Sequence, residues 1–458
     1  MEWLVVAQSV DVVVVGMGPG GEDLASKLAV AGLSVVGIDQ RLLGGECPYF
    51  GCVPSKMMIR ASDVLAEGRR IPQLAGDSTV TPDFTPVAKR IRQDATDDWD
   101  DTAAVERFQS KGGVFVRGHG VITGPNTVSV GGDEYIARRG IVLNTGTEPN
   151  APAITGLEGT PYWTNREAMQ LETLPASIAI LGGGAIGSEL SQVFARFGVK
   201  VTVIEAAPRL LRLEEPESGE LVEAAFREDG IDVLTGAAAT AVSHDANGFT
   251  VTLENGATVQ AERLLVACGR RSNLKGIGLD KIGLDENVRH LDADEYLRVA
   301  EGVWAIGDIV GKGAFTHMSM YQAAIATRDI LGHDGAPARY HAVPRVTFTD
   351  PEVGSVGLTE QQAREQGISV RVGRQDLPVS SRGWIHKAGN AGIIKLVADE
   401  DRGVLVGATS VGPNGGEVLS ALVLAVHAAV PVAKFREMIF AYPTFHRAIE
   451  AALDDMML

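Results

Sequence analysis

Cysteine, aromatic side chains and long apolar runs are all scarce in this chain. Only three of its 458 residues are cysteine, and aromatic residues make up 5% of the sequence. No apolar run reaches the ~18 residues that a membrane-spanning helix needs, so we expect no membrane span. Positive charge is also scarce: the formal net charge is −17, and an acidic chain repels the phosphates of nucleic acids. We therefore expect no nucleic-acid partner.

Signals for export are missing as well. The sequence up to Ala7 is apolar, but it is short and has no cationic n-region, so we predict no signal peptide. A chain with few cysteines and no export signal fits the reducing cytoplasm. Hydrophobic residues make up 45% of the sequence, which is ample for large cores, and the length suggests about three domains of ordinary size.

Two of the three cysteines, Cys47 and Cys52, lie in the segment G-G-E-C-P-Y-F-G-C-V-P-S-K, which runs from Gly44 to Lys56. Residues five positions apart on a regular helix are separated by about 7.5 Å of rise, whereas a disulfide needs Cα atoms within about 7 Å. We therefore predict that the pair does not share one undistorted helix. Cys47 should stand at the start of the helix, where the N-terminus favours thiolate and lowers the pKa of a cysteine.

This cysteine pair has several possible uses. A structural disulfide is unusual in a chain without export signals. A zinc site takes four thiolate or imidazole ligands, and no second cysteine pair exists, so we predict no metal. Two inert core cysteines are a further alternative, and passive burial is what we expect for Cys268, which closes an apolar run. The motifs on either side favour a redox-active pair.

An internal repeat organises the chain. Each landmark of the second copy lies 166 residues after its counterpart in the first copy, as Gly182 does after Gly16. Each copy has the pattern strand, glycine loop, helix, strand, and ends on an acid. The glycines stand in G-x-G-x-x-G order, which permits a tight turn and close approach of a pyrophosphate to the helix N-terminus. The acid can accept hydrogen bonds from ribose hydroxyls. The landmarks are Gly16, Gly18, Gly21 and Asp39 in the first copy, and Gly182, Gly184, Gly187 and Glu205 in the second.

Two copies predict two dinucleotides. The cysteine segment directly follows the first copy, so we assign the flavin to that copy and the nicotinamide to the second. Glu205 favours a free 2′-hydroxyl over a 2′-phosphate, which predicts NADH rather than NADPH. Arg209 and Arg212 follow closely and could weaken that preference.

Changes of pattern along the chain predict the domain boundaries. We expect an FAD-binding domain made of residues 1–149 and 269–338, and an NAD(P)-binding domain of residues 150–268. Residues 339–458 change to alternating apolar strands followed by an Ala-rich helix, which predicts an α+β module. Residues 93–112 are largely polar and predict a surface helix.

Together these motifs resemble the class I pyridine nucleotide–disulfide oxidoreductases, the flavoproteins that include glutathione reductase, lipoamide dehydrogenase and mercuric reductase. The most specific match is G-G-x-C-x-x-x-G-C-x-P-S-K. Three shorter motifs also match: T-G-x-x-P, G-R-x-x-N and A-x-G-D. The resemblance implies an α/β fold with two Rossmann-like dinucleotide-binding domains and a C-terminal dimerisation domain. It also implies a homodimer whose active site is shared across subunits.

The resemblance implies roles for individual residues. Cys52 would be the thiolate that faces the flavin, and Cys47 the thiol that exchanges with the acceptor. Lys56 would lie near flavin N5, paired with Glu189, where a cation stabilises negative charge as hydride arrives. Further residues are implied for FAD (Gly45, Gly120, Thr145, Gly146 and Asp308) and for NAD(P) (Gly269).

One departure from the family pattern concerns the acceptor. The family's disulfide reductases carry His-Pro-Thr near the C-terminus and a glutamate five residues after the histidine, whereas this chain has Tyr442 and Arg447 at those positions. A tyrosine is a poor base at neutral pH but can donate a proton, and His446 is an alternative. The chain also has no C-terminal cysteine pair and no N-terminal metal-binding domain, which argues against ordinary mercuric reductase and high-molecular-weight thioredoxin reductase.

We therefore predict an FAD-dependent NAD(P)H oxidoreductase that passes electrons through Cys47 and Cys52 to a small-molecule acceptor. A disulfide or a related electrophile is the first expectation. The alternatives are a quinone, oxygen or mercuric ion as acceptor, and a slow redox-sensing flavoprotein.

Overall fold

Residues 7–456 are described by the computed structural model. The two ends, residues 1–6 and 457–458, lie outside this range, so the predictions on a signal peptide and on the last residues of the chain fall largely outside it. No helix within the described range is both long enough and apolar enough to cross a membrane.

The strands are short and follow the apolar runs of the sequence. In chain order they are β1 (Ala7–Val15), β2 (Val35–Asp39), β3 (Val114–Arg117), β4 (Val121–Gly124), β5 (Thr127–Val130), β6 (Asp133–Leu143), β7 (Thr147–Pro149), β8 (Ser177–Leu181), β9 (Lys200–Glu205), β10 (Asp232–Thr235), β11 (Ala239–Asp245), β12 (Gly248–Leu253), β13 (Thr258–Ala261), β14 (Arg263–Val266), β15 (Arg270–Ser272), β16 (Arg298–Ala300), β17 (Val303–Ala305), β18 (Pro344–Thr347), β19 (Glu352–Gly357), β20 (Val370–Asp376), β21 (Ile393–Asp399) and β22 (Val404–Gly412).

The helices include the two that follow the glycine loops. In chain order they are α1 (Pro19–Val30), α2 (Glu46–Phe50), α3 (Cys52–Arg70), α4 (Thr85–Arg90), α5 (Thr102–Ser110), α6 (Asn165–Met169), α7 (Ala185–Arg196), α8 (Pro216–Glu228), α9 (Thr316–Leu331), α10 (Glu360–Glu365), α11 (Ser381–His386), α12 (Gly415–His427), α13 (Val432–Arg436) and α14 (Arg447–Asp455). The predicted strand–loop–helix–strand order is confirmed in both copies of the repeat, as β1–α1–β2 and β8–α7–β9.

The chain forms two compact units. The first contains the chain up to Pro54, Arg90–Asn150 and Arg270–Tyr340. The second contains Ser55–Lys89, Ala151–Gly269 and the chain from His341 onward. The division into three domains, with the boundaries given above, stays a prediction.

The first unit is built on a sheet of order β16-β17-β6-β1-β2-β3, in which β5 also pairs with β6 and β4 pairs with β5. Strand β1 lies in the interior of this sheet, parallel to both β2 and β6. The run Val12–Val15 is buried, because a central parallel strand is covered on both faces. This position carries the end of β1, and with it the first glycine loop, to the carboxyl edge of the sheet, where ligands bind in such folds.

The second unit contains three sheets. A parallel sheet of order β10-β9-β8-β14 carries the second glycine loop. A three-stranded antiparallel sheet, β11-β12-β13, follows the same part of the chain. The five-stranded sheet β18-β19-β22-β21-β20 is antiparallel and has its own apolar core with α12 and α14, as the predicted α+β module requires.

One local prediction was only partly right. The polar stretch 93–112 contains a π-helical turn (Ile91–Ala95), then an irregular segment, and becomes α-helical only in α5. Thr147–Pro149, just before the domain boundary predicted after residue 149, forms β7 and pairs with β15. This partner is distant in sequence, so local composition did not indicate it.

Candidate active site

The first glycine loop joins β1 to α1, and close backbone contacts require its glycines. Gly16 has a φ of +96°, and a Cβ there would meet the carbonyl oxygen of Asn144 at 2.2 Å. A Cβ at Gly21 would meet the carbonyl oxygen of Gly16 at 2.2 Å. A side chain at either position would therefore push backbone apart. The helix N-terminus that follows offers backbone N–H groups to a pyrophosphate.

The cysteine segment folds back onto this loop. Gly44 donates its N–H to the carbonyl of Met17 at 2.7 Å. Gly45 has a φ of +68°, and a Cβ there would lie 2.8 Å from the Cα of Gly18. Bare backbone therefore lines a narrow cradle that side chains would fill. This cradle fits the pyrophosphate of FAD, which Gly18 and Gly45 would hold together with Gly16.

Asp39 ends β2 beside the same loop. Its two carboxylate oxygens accept hydrogen bonds from the backbone N–H groups of Met17 and Arg41, both at 2.8 Å. Burial raises the pKa of Asp39, and the two backbone hydrogen bonds oppose that shift. The carboxylate therefore braces the glycine loop from the strand end where the sequence predicts a ribose-binding acid.

The second glycine loop repeats this backbone arrangement. Gly182 has a φ of +105°, and a Cβ there would lie 2.5 Å from the carbonyl oxygen of Ala267. A Cβ at Gly187 would meet the carbonyl oxygen of Gly182 at 1.9 Å. At Gly184 a Cβ would meet nothing within 4 Å, so the middle of the loop is open on the side where a nucleotide would bind.

Glu205 repeats the role of Asp39. It accepts the N–H of Gly183 at 2.6 Å and that of Ala207 at 2.7 Å. The loop after it is held by Arg209, whose guanidinium donates to the backbone carbonyls of Leu211, Arg212 and Glu214 at 2.7–2.9 Å. The guanidinium of Arg209 is therefore hydrogen-bonded within its own loop. We therefore consider Arg212 the nearby cation that could weaken a preference for NADH over NADPH.

The two cysteines stand at the starts of two separate helices. Cys47 is the second residue of the short α2, Gly51 breaks the helix, and Cys52 begins α3. The prediction that they do not share one undistorted helix is confirmed. Cys47 is half-buried and Cys52 is exposed, and the structure holds both as thiols.

The thiol of Cys47 has a raised pKa, so the prediction that a helix N-terminus lowers it is wrong for the dithiol state. The hydrogen bond with Cys52 raises it most, and burial and the charge of Cys52 raise it further. The Sγ of Cys52 also lies 3.6 Å from the hydroxyl oxygen of Thr316, which begins α9. The sequence analysis missed Thr316, because only the fold brings it to the cysteine segment.

A cavity of about 360 Å³ lies beside Cys47 in the first unit. Most of its charged side chains are acidic, and its one cation, Arg107, pairs with Glu22 at 2.6 Å. Burial and the carboxylates of Asp101 and Glu22 raise the pKa of Tyr49 to about 12, a further sign of negative potential here. The wall of the cavity includes Cys47, Tyr49, Glu22, Asp97, Asp100 and Arg107.

The predicted partners Lys56 and Glu189 form an ion pair in the second unit. The Nζ of Lys56 lies 2.8 Å from Oε2 of Glu189, whose side chain is 6% exposed. The other oxygen, Oε1, accepts the N–H of Phe348 at 2.9 Å, and the ammonium lies 4.7 Å from the centre of the Phe348 ring. The alternative of a solvated surface pair is therefore wrong, although the role of the pair near a flavin stays a prediction.

Asp308 lies in a hydrogen-bonded group of the first unit. Its Oδ2 accepts the hydroxyl of Thr147 at 2.6 Å, and Thr147 in turn accepts a hydrogen bond from Arg270 at 2.7 Å. Thr145 donates its hydroxyl to the carbonyl of Asn273 at 2.7 Å. The strand ends that carry T-G-x-x-P and G-R-x-x-N are thus tied to each other and to the A-x-G-D turn.

The remaining predicted residues have varied settings. A Cβ at Gly120 would lie 3.2 Å from Cγ2 of Ile38, whereas Cβ atoms at Gly146 and Gly269 would meet nothing within 4 Å. Cys268 is half-buried rather than buried, and its Sγ donates to the carbonyl of Leu181 at 3.4 Å. Burial and Glu205 raise the pKa of Cys268 to about 11, so its thiol is neutral at pH 7.

Tyr442 and His446 lie just before α14 in the second unit. The Tyr442 side chain is 67% exposed, and the guanidinium of Arg447 lies 5.5 Å from the centre of its ring. Arg447 also pairs with Glu450 at 3.1 Å. His446 is partly buried and occupies the N-cap of α14. The roles of both residues in catalysis stay predictions. Across residues 7–456, no group of three His, Cys, Asp or Glu side chains is arranged to hold a metal ion.

Two nucleotide loops, one of them closed by a dithiol segment, define an oxidoreductase that uses two dinucleotides. Comparison with known families agrees. Residues 10–327 match the model for pyridine nucleotide-disulphide oxidoreductases, and residues 343–453 match the dimerisation domain of that family. The chain belongs to the pyridine nucleotide-disulphide oxidoreductase family.

Relatives and solved structures align along nearly the whole chain. A dihydrolipoyl dehydrogenase from Chlorobaculum tepidum is 34% identical over 98% of this chain and 97% of the relative. A mercuric reductase from Bacillus cereus is 30% identical over 97% of this chain and 71% of the relative. The HOCl-induced flavoprotein disulfide reductase RclA from Escherichia coli is 27% identical with a TM-score of 0.84, over 98% of this chain and 99% of that one. RclA has also been solved as a Cu(II) complex.

These findings establish the class of reaction. The protein is an FAD-dependent NAD(P)H oxidoreductase that acts on disulfide or related sulfur groups. The match to the dimerisation domain supports a homodimer.

Proposed function

We propose that the protein is an NADH-dependent reductase in which Cys47 delivers electrons to a small uncharged or cationic electrophile, with small disulfides as the first acceptor class. The observation that carries this proposal is the position of Cys47 in the wall of an acidic cavity. FAD, when bound, would supply the two-electron redox chemistry that links the nicotinamide to the Cys47–Cys52 disulfide.

The residues of the chain divide the remaining work. Cys52, next to the Thr316 hydroxyl, would be the flavin-facing thiolate, since a nearby hydroxyl can donate a hydrogen bond to sulfur. Cys47, with its raised pKa, would carry the proton of the dithiol until an acceptor arrives. Lys56, oriented by Glu189, would stabilise negative charge on the flavin. Asp308 and its bonded group would hold the flavin's ribityl or phosphate region.

The charge of the cavity favours some acceptors over others. Arg107 is balanced by Glu22, so Asp97 and Asp100 leave the wall with net negative charge. Hydrogen bonds from Thr102 lower the pKa of Asp100, which is therefore ionised at neutral pH. An anionic disulfide such as glutathione disulfide would be repelled, and a cationic disulfide would be attracted.

Three disulfides of similar size and different charge test this proposal. We expect kcat/KM for NADH oxidation to fall from cystamine through 2-hydroxyethyl disulfide to dithiodipropionate, with a spread that narrows in high salt. Asp100→Asn should reduce the ratio of kcat/KM between cystamine and dithiodipropionate by a few-fold at low salt. Asp133→Asn, which removes one exposed carboxylate outside the cavity wall, is the matched control. Equal kcat/KM for the three acceptors, or the reverse order, would contradict the proposal.

A thiophilic metal ion is the second candidate acceptor. Disulfide reduction releases a thiolate that must be protonated, whereas reduction of a metal ion by a dithiol needs no proton donor, and the chain has Tyr442 in place of the family's histidine. The names of two relatives point the same way, a mercuric reductase and a Cu(II) complex. Anaerobic NADH oxidation with Hg²⁺ or Cu²⁺, faster than with any of the three disulfides, would favour this candidate.

The homodimer would complete the site. Ile439 and Trp384, in the C-terminal part of the chain, are 95% and 76% exposed, and large apolar side chains of this kind are typical of the buried core of a protein–protein interface. Tyr442 is exposed in the same part of the sequence. We infer that a second copy covers these side chains and that Tyr442 serves the cysteine pair of the partner subunit.

A further inference from the structure

A strained segment, which we call the strap, consists of residues Thr96–Asp101 in the first unit. Three successive residues, Asp97, Asp98 and Trp99, have φ values of +47°, +54° and +58°. Residues other than glycine rarely adopt this left-handed conformation, and runs of them persist only where surrounding contacts hold them. The contacts of the strap therefore indicate what it is built to hold.

The two ends of the strap are buried and bonded. Thr96 is buried, and its hydroxyl donates to the carbonyl of Ile91 at 3.1 Å. Asp101 is buried too, and it accepts two hydrogen bonds from Arg117, at 2.7 and 2.8 Å. These anchors fix the strap to the π-helical turn before it and to the end of β3.

The strap also contacts the chain on both sides of Cys47. The carboxylate of Asp101 accepts the N–H of Leu43 at 2.6 Å. The indole Nε1–H of Trp99 donates to the carbonyl of Tyr49 at 3.1 Å. Leu43 precedes Cys47 in the chain and Tyr49 follows it, so the strap holds the backbone on both sides of the thiol. Asp97 and Asp100 of the same strap line the cavity beside Cys47.

We propose that Trp99 is a positioning residue for Cys47, holding the Tyr49 carbonyl so that the thiol stays within bonding distance of Cys52. This inference rests on the proposed function of the Cys47–Cys52 pair. It differs from a general packing role because it assigns the effect to one group, the indole N–H of Trp99 that donates to the Tyr49 carbonyl.

The consequence is a shift in the disulfide equilibrium. Reduction breaks one S–S bond and takes up two electrons and two protons, giving two thiols. A segment that holds Cys47 near Cys52 raises the effective concentration of one thiol for the other, and so stabilises the disulfide. Losing one neutral hydrogen bond should loosen this hold by roughly fivefold in the equilibrium constant, equivalent to about 20 mV for a two-electron couple.

The test uses the FAD-containing protein with Trp99→Phe, which keeps an aromatic ring and removes the N–H. The protein is equilibrated in dithiothreitol buffers of graded ratio, where dithiothreitol supplies the two electrons and two protons and becomes its cyclic disulfide. Acid quenching, alkylation and mass spectrometry then measure the oxidised fraction of Cys47–Cys52. We expect the midpoint potential to rise by the ~20 mV given above.

Trp304→Phe is the matched control. Trp304 lies in the same unit, and its indole N–H also makes one hydrogen bond, to Asp329 at 2.7 Å, away from the cysteine segment. We expect the control to leave the potential unchanged. If Trp99→Phe does not fold, β-(3-benzothienyl)alanine at position 99, which has sulfur in place of the N–H, gives the same test with the ring shape preserved.

An unchanged potential in the variant at position 99, or an equal shift in Trp304→Phe, would overturn the inference. Its failure is separate from failure of the proposed function. If NADH does not reduce the Cys47–Cys52 disulfide of the unmodified protein, the proposed function falls. The dithiothreitol titration still decides the role of Trp99, because it does not pass through the nicotinamide.

Discussion

The two nucleotide loops share a backbone design and differ in what closes them. In each, the acid at the end of the second strand accepts the N–H that follows the first glycine. In each, the chain then returns to the carbonyl of that same residue, through the N–H of Gly44 in the first loop and of Leu211 in the second. The returning segment is glycine-lined and leads to the cysteines in the first loop, whereas Arg209 holds it in the second.

The part that the two loops share concerns nucleotide binding, and the part that differs concerns the reaction. The shared part, glycines plus a bracing acid, is what a dinucleotide requires of any such loop. The returning segment is where the two loops diverge, and it decides whether the bound nucleotide meets a dithiol or only a docking surface. Similar sequences around Gly16 and Gly182 are therefore compatible with different partners, for which we propose FAD in the first loop and NADH in the second.

The largest expected effect comes from filling each loop in turn. A Cβ at Gly21 or Gly187 would meet a backbone oxygen at 2.2 or 1.9 Å. We expect Gly21→Val to purify without FAD. Gly187→Val should keep FAD, but the rate of flavin reduction by NADH should fall by roughly 10²-fold, which is the scale of the rate loss caused by misplacing a reactant. Flavin absorbance and stopped-flow reduction measure the two effects, with dithionite showing that the flavin of Gly187→Val remains reducible. Loss of FAD from the Gly187 variant alone would reverse our assignment of the loops.

The next prediction concerns Lys56, on the helix that begins at Cys52. Lys56→Met removes the cation proposed to act near the flavin, so hydride transfer from NADH should slow by roughly 10²-fold. Glu189→Gln should slow it less, because the ammonium remains. Lys281→Met, which removes an exposed lysine that pairs with Asp280 at 2.8 Å, is the control in the same stopped-flow assay. Wild-type reduction rates in Lys56→Met would show that the pair only stabilises the fold.

A variant of Tyr442 tests whether reduction of the acceptor at the cysteine pair needs a proton donor. Reduction of the flavin by NADH should not need this donor. If its hydroxyl protonates the leaving thiolate, Tyr442→Phe should lower turnover with a disulfide by roughly 10²-fold and leave flavin reduction by NADH unchanged. Tyr442→His combined with Arg447→Glu should raise activity toward small disulfides. Undiminished turnover in Tyr442→Phe would mean that the tyrosine only packs, and would favour electron transfer directly from the flavin.

A smaller effect is expected at the acid of the second loop. Glu205→Ala should narrow the preference for NADH over NADPH by about tenfold, the scale of one charge-assisted hydrogen bond to a ribose hydroxyl. Ratios of kcat/KM for the two nucleotides measure it. Arg212→Ala should widen the preference if that arginine attracts a 2′-phosphate. A preference for NADPH in the unmodified protein would show that Arg212 outweighs Glu205.

Local patterns predicted most of the fold. The glycine spacing and the apolar runs of β1 and β8 predicted both βαβ units, and the Cys47–Cys52 spacing predicted that the pair does not share one undistorted helix. Contacts between distant segments could not be predicted in this way. Thr316 meets Cys52, and Trp99 meets Tyr49, only through the fold. The raised pKa of Cys47 was missed because it depends on the neighbouring thiol and on burial more than on the helix N-terminus.

An anaerobic NADH titration of the purified protein, followed by absorbance, tests the central claim most directly. If the first loop holds FAD beside the Cys47–Cys52 disulfide, full reduction should take four electrons per flavin, two for the disulfide and two for FAD. A long-wavelength band between thiolate and flavin should appear after the first two electrons. Cys47→Ser should show that band before any reductant is added, because Cys52 can no longer pair with Cys47. Reduction complete at two electrons per flavin, with no long-wavelength band and both cysteines intact, would contradict the account.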